Sequence, residues 1–361
     1  MTARRPPRTP MPGPIEWLRE NLFSTPLNAV LTLFALLILY VTVVPFVQWA
    51  FVNAVWTGTD REACLPYENG ACWPFVIERL GQFVYGFYDT AQRWRVDIVL
   101  IVLSAGLLWL TLPRMPGKRP VGVVMLTLFP FAAFVMLVGG FGLERVPTER
   151  WGGLLMTLVV AITGIVASLP LGIVLALGRR SELPVVRWLS IAFIEFWRGV
   201  PLVTVLFMAA HMLPLFLGLS VNKLLAALIA VALFSSAYMA EVVRGGLQAI
   251  PKGQYEAAAA MGLGYWQSMA FVILPQALRL ALPNIVGNFI GLLKDTSLVS
   301  IIGLFDLLGI AQTGTTDPTW ATPNTALTGY AFVGAVFWAM CFSMSRYAKH
   351  MEGVLGAGER R

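Results

Sequence analysis

The chain has 361 residues, 57% of them hydrophobic and only 12% charged, and its mean hydropathy is +0.73. A soluble fold of this composition would leave far too much apolar surface in water, so the sequence reads as an all-α polytopic membrane protein. The net charge of +7 does not mark a nucleic-acid binder, because the basic residues are scattered between apolar runs; two histidines and three separated cysteines offer no metal-ligand spacing, so no metal is expected.

Residues 1–27 open with MTARRPPRTPMPGP, whose arginines lie far ahead of the first apolar run and which no small-residue cleavage site follows. This stretch reads as a retained, disordered tail. A first span is expected over 28–52, with Trp17 and Trp49 anchoring its ends at the interfaces and Pro45 kinking it. Residues 53–95 mix charges with Trp73, Phe75, Phe83, Tyr85, Phe87 and Tyr88, and predict a small cap lying on the membrane surface. Cys64 and Cys72 both fall in it. On an oxidising side a disulfide between them would close a short loop and contribute about 2–3 kcal/mol; the alternative is two free thiols, and the sequence leaves both open. A second span over 96–112 turns through the basic PRMPGKRP at 113–120 into a third over 121–140. These three accessory spans, within 28–150, carry no motif beyond hydrophobicity, and a boundary falls near Trp151.

A fourth span over 152–178 is followed at once by Arg179 and Arg180. The amphipathic run RWLSIAFIEFWR at 187–198 places Glu195 and Arg198 one helical turn apart, where a local ion pair at the membrane edge is expected. A fifth span opens at Gly199-Val-Pro201 and ends near Gly218, a sixth covers 224–243, and a seventh covers 280–304, interrupted by Lys294, Asp295, Thr296 and Ser297. A polar loop over 305–325 leads to an eighth span, 326–344, and a basic tail, 347–361. Eight spans put both termini on one side. Of the 26 Lys and Arg residues, 19 fall in the segments that side would hold, so both termini are expected in the cytoplasm.

Between the sixth and seventh spans lies AIPKGQYEAAAAMGLGYWQSMAFVILPQAL, residues 249–278. Pro251 suits the first turn of a helix, residues 254–261 are mostly good helix formers, and Gly262 and Gly264 stop them. A second helical run over 265–274 is expected to end at Pro275, giving two short helices around a glycine turn. The alanines at 257–260 leave one helix nearly bare, so another surface can approach its backbone. No G-x-x-x-x-G-K-[ST] loop, G-x-S-x-G elbow, H-E-x-x-H helix or paired carboxylates in one polar segment occur, so the chain is not expected to be an enzyme by itself.

The order E-A-A, three residues, G, nine residues, I-x-L-P resembles the EAA loop of ABC-transporter membrane subunits. Glu256, Ala257, Ala258, Gly262, Leu274 and Pro275 match it, and Val272 stands where Ile is usual. Together with EFWRGVPL (195–202), SAYMAEVVRGGLQAIPKGQYEAA (236–258) and LLKDTSLVSIIGL (292–304), it makes residues 151–346 similar to the permease domain of the polar amino-acid uptake family of ABC importers. With its leading spans and cap, the whole chain is similar to the M-type permease of general L-amino-acid transport systems. The resemblance implies a five-helix type I importer core preceded by three accessory spans, in the bacterial inner membrane, moving L-amino acids. It implies that 249–278 is cytoplasmic and seats in a cleft of a separate ATPase subunit, so that this chain holds no cofactor and ATP is bound by the partner. The implied partners are a second homologous permease, two copies of the ABC ATPase and a periplasmic amino-acid-binding protein, with membrane lipid around them and no nucleic acid.

The residues add candidates for the pathway. Ionisable groups inside an apolar span are expensive, and a zwitterionic amino acid needs acceptors for its ammonium and donors for its carboxylate. Lys294, Asp295, Thr296 and Ser297 supply both; the blander reading is that Lys294 and Asp295 pair with each other or with the ATPase-side interface and merely hold the helix in place. Ser236 and Tyr238, with Ser235, are further candidates, set against ordinary bonding between helices. The rival function is a stand-alone secondary transporter or channel for small polar solutes, against which stand the full loop motif and the lack of a visible inverted repeat.

Overall fold

A computed structural model describes residues 13–66, 69–112, 114–218 and 221–356. The basic residues expected in the tails at positions 4, 5, 8, 360 and 361 lie outside the described residues. Among the described residues, seven helices are long and apolar enough to cross a membrane, and eight if one sharply bent pair counts as a span.

Among the described residues the first helix is α1 (Pro14–Leu22), within the stretch expected as a tail: Pro14 occupies the first turn, and Glu16 and Arg19 complement the helix dipole at its two ends. The first span, α2 (Pro26–Val47), is capped by the Thr25 side chain, which accepts from the Asn28 N–H at 3.1 Å. Beyond Pro45 it widens into a π-turn, Gln48–Val52, and the indole N–H of Trp73 donates to the Ala50 carbonyl at 2.7 Å. No residue of α2 itself is buried.

The cap contains α3 (Trp73–Glu78) and α4 (Leu80–Tyr85), and a disulfide joins Cys64 to Cys72 across a Cα–Cα distance of 5.7 Å. The cap packs on the protein's own helices. Phe75 and Phe83 are fully buried and pack edge-on against each other, Phe75 also against Trp320 and Phe83 against Phe332. The Cys72 N–H donates to Thr328 Oγ1 at 2.9 Å, and Arg79 pairs with Asp317. Aromatic bulk thus holds the cap against the last span. The next two spans, α5 (Arg93–Thr111) and α6 (Lys118–Val138), form a hairpin. It is fixed at the cap end by Tyr88 Oη, which donates to the Leu137 carbonyl at 2.8 Å, and by buried Arg95, which donates to the Glu144 carbonyl at 2.7 Å.

The remaining helices build the main bundle. The fourth span is α7 (Gly153–Arg179); α8 (Pro184–Gly199) then bends by 101° into α9 (Leu202–Phe207), which continues through a π-turn, Met208–Met212, into α10 (Leu213–Leu217). The bend falls at Val200 and Pro201, since proline disfavours helical backbone in the residue before it. The sixth span is α11 (Lys223–Gln248). Its packing on α7 is the most extensive in the bundle, and α14 (Leu274–Asp295) packs on its other side. Glycines allow these approaches: a Cβ on Gly164 would lie 2.8 Å from Leu292 and 2.9 Å from Val231, and one on Gly172 would lie 2.7 Å from Met239.

Between these spans, α12 (Lys252–Ala260) and α13 (Tyr265–Gln267) form the 249–278 loop. Two expectations change here. Pro251 is the cap preceding α12 and not part of its first turn. Nor does the second helical run end at Pro275: α13 passes through a π-turn, Ser268–Ile273, straight into α14. Pro275 sits in the first turn of α14, where its missing N–H matters least, and the Gln276 side-chain amide donates to the Val272 carbonyl at 2.9 Å. After Asp295 the helix tightens to a 3₁₀ stretch, Thr296–Ile302, at the interruption read from the sequence. The expected 305–325 loop holds a further helix, α15 (Leu307–Thr315), started by the Asp306 carboxylate, and α16 (Pro323–Gly356) carries the last span on through most of the expected tail.

Candidate functional site

The loop is built to present α12. Its final turn closes in two hydrogen bonds, Gly262 N–H to the Ala259 carbonyl at 2.9 Å and Leu263 N–H to the Ala258 carbonyl at 3.2 Å. That closure requires Gly262 at φ +74°, a left-handed backbone that only glycine adopts without strain. A Cβ at Gly262 would meet nothing within 4 Å, so the constraint is one of backbone and not of packing. Glu256, Ala257 and Gly262 are exposed, as are Ala259 and Ala260, whereas Ala258 is fully buried against the bundle. Leu274 packs into the apolar cluster beneath, and Pro275 is exposed.

Beneath the loop, Ala176 of α7, Met239, Val243 and Leu247 of α11, and Ile273 and Ala277 beside and within α14 form one buried cluster, onto which Tyr255 packs. Gln276 also donates to Gln254 at 3.1 Å, and Arg180 donates to the Tyr255 hydroxyl at 3.0 Å with its guanidinium over the ring. A displacement of α12 is therefore felt at the same end of three spans, because close-packed apolar groups transmit strain and do not absorb it.

An ion cluster lies at this end of the bundle. Glu241 of α11 accepts from Arg179 at 2.9 Å and from Arg244 at 2.7 and 2.9 Å, and Arg198 approaches it at 3.8 Å. The expected Glu195–Arg198 pair is absent. Glu195 instead accepts from Arg179 at 3.0 Å, because α11 brings Glu241 between the two helices and draws Arg198 toward itself. Sequence reasoning missed Glu241, although a carboxylate inside an apolar span with Arg244 three residues on was the signal for it.

The pathway candidates are not gathered in one place by direct contacts. Thr296 is buried and donates to the Leu293 carbonyl at 2.7 Å, and Ser297 donates to the Lys294 carbonyl at 2.9 Å. Lys294 is exposed and Asp295 half-buried; among the described residues neither takes part in an ion pair, so the bracing pair between them does not form. Ser235 and Ser236 are buried and bond back to their own helix at Val231 and Leu233. Tyr238 packs at a tilt against Phe234 and lies beneath the Arg198 guanidinium, at the ion cluster.

The model of the family described as binding-protein-dependent transport system inner membrane component matches residues 168–353. The chain is 50% identical over 348 residues to the inner membrane amino-acid ABC transporter permease protein YhdY of Escherichia coli K12, covering 95% of this chain and 93% of that one. It is 38% identical to the glutamate/glutamine/aspartate/asparagine transport system permease protein BztC of Rhodobacter capsulatus, covering 100% of this chain and 98% of the relative. Among solved structures, a chain of an amino acid ABC transporter with histidines aligns over 55% of this chain and 91% of its own length, with a TM-score of 0.49 and 30% identity.

Proposed function

This chain belongs to the family of inner-membrane components of binding-protein-dependent transport systems, and from that premise we propose how its parts divide the work of import. It is a multi-pass permease subunit of an amino-acid ABC importer, working with an ATPase and a binding protein. Our reading goes further in four respects. Hydrolysis takes place wholly in the partner ATPase, present in two copies, and this chain binds no nucleotide. A second, homologous permease completes the pore. Both termini and α12 face the cytoplasm, and the cap faces the periplasm, which the distribution of Lys and Arg and the cap's disulfide support. The cargo is an L-amino acid, polar or broad in range, as the names of the two relatives suggest.

The observation that carries this reading is α12 itself: a short, alanine-faced helix closed by left-handed Gly262 and seated on a cluster shared by three spans. ATP binding would close the two ATPases against α12 and swing the spans from inward- to outward-facing. Lys294 and Asp295 are proposed to meet the carboxylate and ammonium of the passing amino acid, supported by their having no ion-pair partner among the described residues while lying in a membrane span. The test is uptake of a panel of labelled L-amino acids into liposomes holding the complete complex, the chain alone, or a complex with Asp295→Asn. ATP-dependent uptake only by the complete complex, reduced in the assembled variant, is expected. Uptake by the chain alone without ATP would support the stand-alone transporter instead.

A further inference from the structure

One cavity has no part in the scheme above. It measures about 350 Å³ and lies between α12, the turn after it and the end of α7, walled by Leu177, Leu263 and Met269, with Arg180, Tyr255 and Ser268 as its polar groups. Ser268 is already committed to the Leu263 carbonyl at 3.3 Å. Arg180 is not: it donates to the Tyr255 hydroxyl, and among the described residues no carboxylate lies within ion-pair distance of it. Its chain neighbour Arg179, by contrast, is held by two glutamates. The rim continues as apolar surface outside the spans' packed interior, with Met261 68%, Tyr265 51% and Trp266 72% exposed. An apolar rim around an exposed guanidinium that has no carboxylate partner among the described residues is the surface chemistry of a protein contact.

We propose that this cavity is a socket for a projection of the ATPase subunit, in which a carboxylate meets Arg180 and an adjacent bulky apolar side chain fills the space between Leu177, Leu263 and Met269. The proposal rests on reading α12 as the ATPase seat. Continuity decides between the ATPase and a lipid headgroup as occupant: Tyr255 and Ala259 of α12 both line the cavity, and Ala259 also belongs to the exposed alanine surface, so a protein covering α12 also covers the mouth. A charge pair at such a rim fixes register, and a filled pocket beside it supplies the anchor.

The complete complex in lipid nanodiscs is to be made with photo-reactive benzoylphenylalanine replacing Leu263 in the cavity, or Met261 on the exposed turn as reference. Capture of the ATPase from both positions, with the Leu263 adduct mapping beside an acidic residue, is expected. Capture from the Met261 position only, with lipid or this chain bound at Leu263, would leave the α12 seat standing and overturn the socket; capture from neither would overturn both. In parallel, Arg180→Glu is expected to lower ATP-driven uptake about tenfold and Arg180→Lys to retain most of it. Replacing the mapped ATPase carboxylate with lysine is expected to restore the Arg180→Glu complex. Undiminished uptake with Arg180→Glu would contradict the proposal.

Discussion

Asp306 has no exposed surface, yet its side chain accepts from the backbone N–H groups of Gly309 at 2.9 Å and Leu308 at 3.2 Å at the start of α15. It lies between the last two spans, outside both. Burial pushes its carboxyl up from the ordinary 3.8 to about 6, against the pull of those N–H groups. A carboxyl whose pKa is raised on folding holds its proton more tightly in the native state. Its contribution to stability is therefore complete below about pH 4 and lost as the pH rises through about 6. Asp306→Asn keeps an acceptor for the helix cap and removes the titration. Thermal unfolding of the purified chain between about pH 4 and pH 7 is expected to show a smaller loss of stability in the variant than in the wild type. Equal losses would mean that the carboxyl remains charged throughout.

Among the elements, α8 depends on charge more than its amphipathic sequence suggests. Its side chains Glu195 and Arg198 both reach other helices, and Glu241, whose side chain is only 16% exposed, is the common ion-pair partner of Arg179, Arg244 and Arg198. Glu241→Gln would leave three guanidiniums crowded around a neutral amide. The expected loss is about 1–2 kcal/mol, below that of a fully buried pair because the arginines stay partly solvated. Thermal unfolding measures that loss, and hydrogen exchange on α8 reports whether the helix loosens first; unaltered exchange there would show that apolar packing alone holds it. The sequence placed the spans well because hydrophobic runs of this length admit few alternatives. It misjudged Glu195 because spacing along one helix says nothing about a carboxylate arriving from another. Pro275 misled for a related reason, since a proline inside a helix can be accommodated by a π-turn and a donating glutamine that only the fold reveals. Similarly, α15 was hidden in a glycine- and threonine-rich stretch whose helix depends on the buried cap of Asp306, and the packing of the 53–95 cap depends on Phe75 and Phe83 meeting Trp320 and Phe332, more than 200 residues away.

Across the whole molecule, the leading spans and the main bundle meet at the cap end, where Tyr88, Val96 and Leu137 share one buried cluster with Leu155 and Met156 of α7 and Phe75 and Phe83 join a second with residues of α15 and α16, while the opposite end gathers α7, α11 and α14 beneath α12. The loop was readable from the sequence because its glycine is demanded by backbone geometry, and so was its alanine face; the Arg180–Tyr255 contact was not, because those residues are 75 positions apart. In the proposed function, α12 is the short element through which force from a separate ATPase reaches the spans. The most direct measurement is ATP-driven amino-acid uptake by the purified complex in liposomes, wild type against Gly262→Val. A β-branched residue at φ +74° strains the turn by about 1–3 kcal/mol without touching any neighbour. The complex is therefore expected to assemble and its binding protein to hold substrate as before, while uptake collapses. An assembled Gly262→Val complex with wild-type uptake would contradict the assignment of α12 as the coupling element.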